Sequence, residues 1–292
     1  MKLQLKFLII LVLAAAVPAV VYFLRSPVII VTDLSFKSLY GEERIRSESR
    51  LASISLFRKV ETAGIADDAS EDIAVIAVSG ISASPFCVVF PLRFVHSASL
   101  YREQNPNVRV ILLGGRQNGE QFLSVLGNKA GDFFTYYTDI DSDFYRAGIA
   151  AAALNMNGKG KIVVFMETNL LTRAKEPFLR GVNTLENPPE TLFFTAVSQF
   201  QENSGISCAV LAGTGTEYFD RETGVPVIFF SWADPLFLKE DVVLLVNDSP
   251  WVQCVQAVRM AAKQAGNGRI KSKFQLVNKK NINRETLRKM PK

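Results

Sequence analysis

Ten short runs of nearly continuous Val, Ile, Leu and Phe constrain this chain more than any other feature. They are Val28–Val31, Ile73–Val78, Cys87–Phe90, Val108–Leu113 and Phe133–Tyr137, then Lys161–Met166, Leu192–Val197, Cys208–Leu211, Val225–Phe230 and Val242–Val246. A strand that alternates apolar and polar residues faces water on one side. A strand apolar throughout is covered on both faces, as in a parallel sheet flanked by helices. Helical stretches separate most of these runs, which predicts βαβ units and an α/β fold. Ten strands exceed one ordinary doubly wound sheet, so two such lobes are expected. The break is expected near Asp139, where no Pro- or Gly-rich linker occurs and the crossing must be a short hinge.

The intervening stretches carry helix signals. Leu51, Ile54, Phe57 and Val60 recur at helical spacing opposite Arg, Ser and Glu. Asp141 or Ser142 can cap a helix in which Phe144, Ala147, Gly148 and Ala151 share a nearly bare face, so that the helix can lie close against its sheet. Phe178, Val182 and Leu185 form another stripe. Asp248-Ser249-Pro250 precedes Trp251, Val255, Val258 and Ala262, and Pro just after a capping residue marks a helix start.

The front end differs from the body. Phe7 to Leu24 is an uncharged apolar stretch of eighteen residues behind Lys2 and Lys6. As a helix it would rise about 27 Å, near the thickness of a bilayer core. It reads either as a signal peptide or as an uncleaved membrane anchor, Pro18 bending such a helix without forbidding it. No Cys follows it, which excludes a bacterial lipoprotein terminus. The positive-inside rule then puts the body outside the cytoplasm, periplasmic or otherwise extracytoplasmic, anchored to the inner membrane.

Charge is equally uneven. The formal +5 conceals ten basic residues against Glu285 alone from Lys263 to Lys292, and Lys2, Lys6 and Arg25 in the leader. The body between them is acidic, so nucleic acid is not an expected partner. One His and three scattered Cys argue against a zinc or haem site, and neither metal nor cofactor is expected. Cys87, Cys208 and Cys254 sit among apolar residues and read as small buried hydrophobes. His96 has no paired nucleophile in an elbow, and Gly114–Gly119 lacks both GxGxxG and GxxxxGK spacing. No catalytic constellation stands out, and the chain is not expected to be an enzyme.

The order of elements resembles the type 1 periplasmic binding proteins. The stretch DIDSDFYRAGIAAAALNMNGKGKIVVF at Asp139–Phe165 is similar to that superfamily's crossover, where an acidic residue opens an RAGxxAA helix and a Gly-Lys turn leads into a strand. Arg173, Phe178 and Gly181 look like the helix that follows. FCVVFPLRFVHSASLYREQNPNVRVILLGG at Phe86–Gly115 resembles the basic membrane protein branch, the nucleoside-binding lipoproteins, and VTDLSFKSLYG at Val31–Gly41 is a weaker echo of that branch's first loop. The sequence departs from the branch in three ways. Lys37 stands where a ligand-contacting Asn is usual, the segment between Val78 and Phe86 is too short for the usual second helix, and the lipobox Cys is absent.

The resemblance implies two doubly wound parallel-sheet lobes with an interlobe cleft. The lobes would comprise 27–138 with 247–265 and 139–246 with 266–292, behind a signal or anchor at 1–26. Ligands of open parallel sheets bind beyond the carboxyl ends of the strands. The candidates are therefore Asp33, Phe36, Arg93, Phe94, Arg116, Asp139 and Asp141, with Asn169, Thr214, Trp232 and Asp234 from the second lobe. Aromatic faces suit a flat or sugar ring, carboxylates suit hydroxyls, and Arg93 and Arg116 suit a carboxylate or phosphate. The expected function is extracytoplasmic binding of a small polar solute, nucleoside or sugar-like, by two-lobe closure. The solute would be delivered to an ABC-type permease or reported to another membrane protein. The alternatives are a ligand-free interaction module anchored in the membrane and an α/β hydrolase or transferase.

Overall fold

A computed structural model of the chain describes residues 17–18, 20–66, 70–116, 133–155, 160–200, 205–216, 224–234, 241–263 and 266–278. The chain divides into two compact units. The first runs through Tyr137 and takes back Cys254–Gly268, and the second comprises Thr138–Gln253 and the residues from Arg269.

Unit 1 holds β1 (Val28–Asp33), α1 (Leu34–Tyr40), α2 (Glu42–Leu56), β2 (Val60–Ile65) and α3 (Glu71–Ile81). These are followed by β3 (Cys87–Pro91), α4 (Val95–Gln104), β4 (Arg109–Leu113) and β5 (Phe134–Thr138), whose last residue already belongs to unit 2. Its sheet has the order β11-β5-β4-β3-β1-β2, where β11 is Asn267–Ile270. The pairings from β5 to β2 are all parallel. Every residue of β1 is buried, as continuous apolar strands require. Ile29, Val31, Val88, Phe90, Val110 and Leu112 pack with Ala74, Val75 and Val78 of α3 into one core.

Unit 2 repeats the plan. It holds α5 (Ile140–Leu154), β6 (Lys161–Met166), α6 (Thr168–Val182), β7 (Thr191–Phe194), β8 (Ile206–Ala212), β9 (Val227–Phe230) and β10 (Val242–Asn247). Then come α7 (Pro250–Ala262), which passes into unit 1 at Cys254, and β12 (Lys273–Leu276). The sheet order is β12-β10-β9-β8-β6-β7, parallel except for β12 against β10. Ile162, Val164 and Met166 pack on one side of the sheet with α5 and α6, while Val163 and Phe165 pack on the other with Phe194 and Phe200.

The bare face of α5 makes its close approach to a neighbouring helix, α6, and not to the sheet that its sequence predicts. A Cβ on Gly148 would lie 2.2 Å from the Phe178 carbonyl oxygen, and one on Gly181 would lie 2.1 Å from that of Tyr145. The two helices cross backbone to backbone, which only glycine permits.

Three expectations fail. Ile73–Val78 is not a strand but the middle of α3, whose Ala74, Val75 and Val78 form one buried helical face. The second strand is instead Val60–Ile65, so Val60 leaves the helical stripe assigned to it and the second βα unit is complete. The supposed shortage between Val78 and Phe86 disappears with that shift. In α2 the stripe points the other way: Leu51 and Ile54 are exposed, while Ala52 and Ser53 face inward. No helix among the described residues is long and apolar enough to cross a membrane, and most of the 7–24 stretch lies outside those residues.

Candidate functional site at the carboxyl ends of the strands

Both sheets have the doubly wound order 2-1-3-4-5, as β2-β1-β3-β4-β5 and as β7-β6-β8-β9-β10. In such sheets the strand order reverses between the first and third strands, and the loops there diverge to leave a crevice. The reversal falls between β1 and β3 in unit 1 and between β6 and β8 in unit 2. Asp33, Phe36, Arg93 and Phe94 follow the first pair, and Asn169 and Thr214 follow the second.

At the unit 1 end, local chemistry occupies most of what the sequence offers. Asp33 caps α1, its Oδ1 accepting from the Phe36 backbone N–H at 2.6 Å and from the Ser35 hydroxyl at 2.5 Å. Its Oδ2 pairs with the Arg93 guanidinium. Arg93 keeps about half of its side chain exposed and lies over the Phe94 ring. Phe94 itself is buried in the core. Phe36 is buried as well, its ring 4.7 Å from that of Tyr40. Arg116 lies two residues beyond Gly114, whose N–H donates to the Tyr136 carbonyl. The positive φ of Gly115 lets the chain turn there.

The unit 2 end differs. Gly213 and Gly215 both take positive φ and place Thr214 between them, its Oγ1 buried and without a hydrogen-bond partner among the described residues. Asn169 is exposed in the first turn of α6. One strand further along, β9 runs into Ser231, Trp232 and Asp234. The Trp232 ring leans on Phe230 at 4.5 Å and on Phe144 at 6.3 Å, at the margin of the core rather than inside it.

The next strand supplies residues that sequence reading passed over. Asp248 accepts from the Ser231 hydroxyl at 2.7 Å, and the Gln253 amide reaches the Asp248 carbonyl at 2.9 Å and the Thr138 hydroxyl at 3.2 Å. The Ser249 N–H donates to Asn247 Oδ1 at 2.9 Å, while the Ser249 hydroxyl is buried without a partner among the described residues. Asp248 and Ser249 read as a helix start in the sequence. Their position directly after the tenth apolar run was the signal that could have marked them as site residues.

Asp139 and Asp141 open α5. Asp139 caps it through the Ser142 N–H, and Arg269 lies within 4 Å of both carboxylates. One turn on, Asp143 is fully buried and accepts from the Ser272 backbone N–H and hydroxyl. Burial lifts its carboxyl to about 7, against the pull of Ser272 and Arg146. The three thiols are free, buried and pushed upward by burial, Cys87 to about 12. A groove of about 480 Å³ runs along the outer side of α6 between Leu171 and Asn183, drawing its lining from that helix.

No protein-family model matches the sequence, and no curated protein matches it. Solved structures do. A transcriptional activator of the comK gene from Bacillus halodurans superposes with a TM-score of 0.59 at 12% identity, over 91% of this chain and 94% of that one. An ABC transporter periplasmic solute binding protein from Actinobacillus succinogenes 130z, with bound D-allose, gives 0.50 at 14% identity, over 90% and 99%. The fold is the one these two proteins share. This supports the resemblance to the type 1 periplasmic binding proteins at the level of fold, with no preference for the nucleoside-binding branch. A fold that serves both a regulator and a transport protein does not fix function; the site must.

Proposed function

We propose that the chain is an extracytoplasmic binding protein for a small polar solute, sugar-like ahead of nucleoside. In this reading the solute passes to an ABC-type permease or is reported to another membrane protein, and the apolar 7–24 stretch holds the chain at the inner membrane. The carrying observation is the pair of buried hydroxyls that find no partner among the described residues, Thr214 Oγ1 and Ser249 Oγ, in the loops that follow β8 and β10. Native proteins rarely leave such groups unpaired, and a solute hydroxyl supplies what each lacks. Trp232, in the loop between them along the sheet, offers a partly exposed aromatic face to a sugar ring. The D-allose carried by the Actinobacillus succinogenes protein belongs to the same ligand class.

A second reading has one observation on its side. Asp33 and Arg93 neutralise each other, and Phe36 and Phe94 are buried, so the unit 1 end has few groups left for a solute. A ligand-free interaction module would look like this at that end. Thermal unfolding of the full chain with a panel of monosaccharides, nucleosides and amino acids separates the two. A binding protein gains RT ln(1 + [L]/Kd), so a shift of several degrees with one class is expected. A cooperative melt that no compound moves would contradict solute binding.

A further inference from the structure

The outward stripe of α2 calls for an explanation that folding does not supply. A surface helix normally turns its large apolar residues to the core. Here Leu51 is 62% and Ile54 67% exposed, while Ala52 and Ser53 are buried beneath. Ser53 takes part in the structure, its hydroxyl accepting the Val60 N–H at 2.8 Å and fixing the start of β2. Phe57 closes the helix in a left-handed conformation, φ 52°, at a position suited to glycine, and its ring is also exposed. A strained, exposed aromatic where glycine would fit better points to a role for the ring itself.

The end of this stripe adjoins the chain's apolar front segment. The Tyr22 ring meets Phe57 at 5.8 Å, and the Arg25 guanidinium lies 5.1 Å over the same ring. Val17, Val20, Phe23 and Leu24 of the helix ending there are all more than half exposed. Beside them, at the amino ends of the strands, sits a group of cations. Arg58 lies 3.8 Å and Arg109 5.2 Å from the Phe86 ring centre, and Arg58 also donates to the Ser26 carbonyl. Desolvation above all, with smaller pushes from Arg25 and Arg109, moves the Arg58 guanidinium downward.

We infer that the Leu51, Ile54 and Phe57 face of α2, flanked by Arg25, Arg58 and Arg109, rests on an anionic bilayer surface. An apolar stripe bordered by arginines is the composition of an interfacial helix. The segment that leads away from Phe57 is the uncharged stretch from Phe7 to Leu24, long enough to enter the same bilayer. The inference rests on the anchored reading and adds an orientation: the amino ends of the unit 1 strands face the lipid, and the carboxyl ends, with Asp33 and Arg93, point away from it.

The test uses the full chain in vesicles of phosphatidylcholine with and without phosphatidylglycerol, carrying a polarity-sensitive dye on Ile54→Cys. The native thiols are buried and do not compete for label. The expected result is a blue-shifted dye quenched by doxyl-labelled lipid, more strongly with phosphatidylglycerol and less at high salt. The same dye on the exposed Thr172→Cys of unit 2 should stay in water. Phe57→Gly should at least halve the quenching while leaving the melting temperature equal or higher, since it relieves the left-handed strain. An unquenched dye at position 54 on chains that withstand alkaline carbonate would overturn the seating and leave the anchor standing. Release by carbonate would overturn the anchor and the seating together. A blue shift that grows with protein density and ignores doxyl lipid would assign the face to a second copy and contradict the inference.

Discussion

The carboxyl ends of the two sheets share a topology and differ in chemistry. In unit 1 the loops after β1 and β3 answer each other: Asp33 caps α1 and pairs with Arg93, and Phe36 and Phe94 are buried. In unit 2 the loops after β8, β9 and β10 leave the Thr214 and Ser249 hydroxyls without a partner among the described residues and Trp232 at the core's margin. Equal strand order therefore makes equal crevices but not equal chemistry within them. In the proposed reading the difference assigns recognition to unit 2, whose scaffold includes the close α5–α6 crossing.

Breaking that scaffold should give the largest effect. Gly148→Ala drives a methyl group into backbone rather than into a movable side chain, so a loss of about 3 kcal/mol or more is expected. Denaturant titration would show it as a lowered midpoint, and an unchanged midpoint would mean the helices part easily.

The next effect concerns binding. Trp232→Ala should weaken solute affinity about tenfold or more, a difference of roughly 1.4 kcal/mol, with little loss of stability because the ring is only partly buried. Its counterpart, Arg93→Gln, should invert the pattern. Asp33, nearly buried, then loses its charged partner, and a stability loss of about 1 kcal/mol is expected with affinity nearly unchanged. Calorimetric titration of both variants against the solute found by thermal shift checks the pair. Equal losses of affinity would erase the contrast between the units.

A smaller effect sharpens the picture of α5. The Asp143 carboxyl is raised by burial from 3.8 to about 7. A carboxyl whose folded pKa exceeds its unfolded value holds protons better when folded. Its contribution to stability is therefore full below about 4 and is lost as pH rises from about 4 to about 7. Asp143→Asn keeps an acceptor for the Ser272 N–H and removes the titration. Its melting temperature should fall less than that of the wild type between pH 5 and pH 7. Parallel slopes would show that Asp143 does not titrate there.

Much of this architecture was legible in the sequence, for identifiable reasons. Nine of the ten apolar runs are strands, because strands covered on both faces have no polar positions to confuse the pattern. The exception, Ile73–Val78, misled because α3 carries Ile73 and Ile76 on its outer face beside the buried Ala74, Val75 and Val78, which makes a helix look like a buried strand. Val60–Ile65 was missed because β2 is an edge strand, half covered, where Glu61, Thr62 and Gly64 are tolerated. The short β11 and β12, Asn-Gly-Arg-Ile and Lys-Phe-Gln-Leu, carry too little apolar pattern to be seen.

The site was legible as positions and not as partnerships. Loops after strands are places the sequence can name, which is why Asp33, Arg93, Thr214 and Trp232 could be listed. That Arg93 spends its charge on Asp33, or that Ser249 is left unpaired after β10, depends on which loops become neighbours. The same holds for α2. Its periodicity revealed a stripe, but which side of the helix the sheet would take was decided by Ser53 and Ala52.

The most direct test follows the two tryptophans by NMR. The sequence has only Trp232 and Trp251, and Trp251 is fully buried in α7. Titrating monosaccharides into the labelled chain, with Trp232→Ala to assign the signals, should move the Trp232 indole N–H resonance saturably and leave that of Trp251 in place. Both resonances staying fixed across the whole panel, or Trp251 alone responding, would contradict recognition at the carboxyl ends of the unit 2 strands.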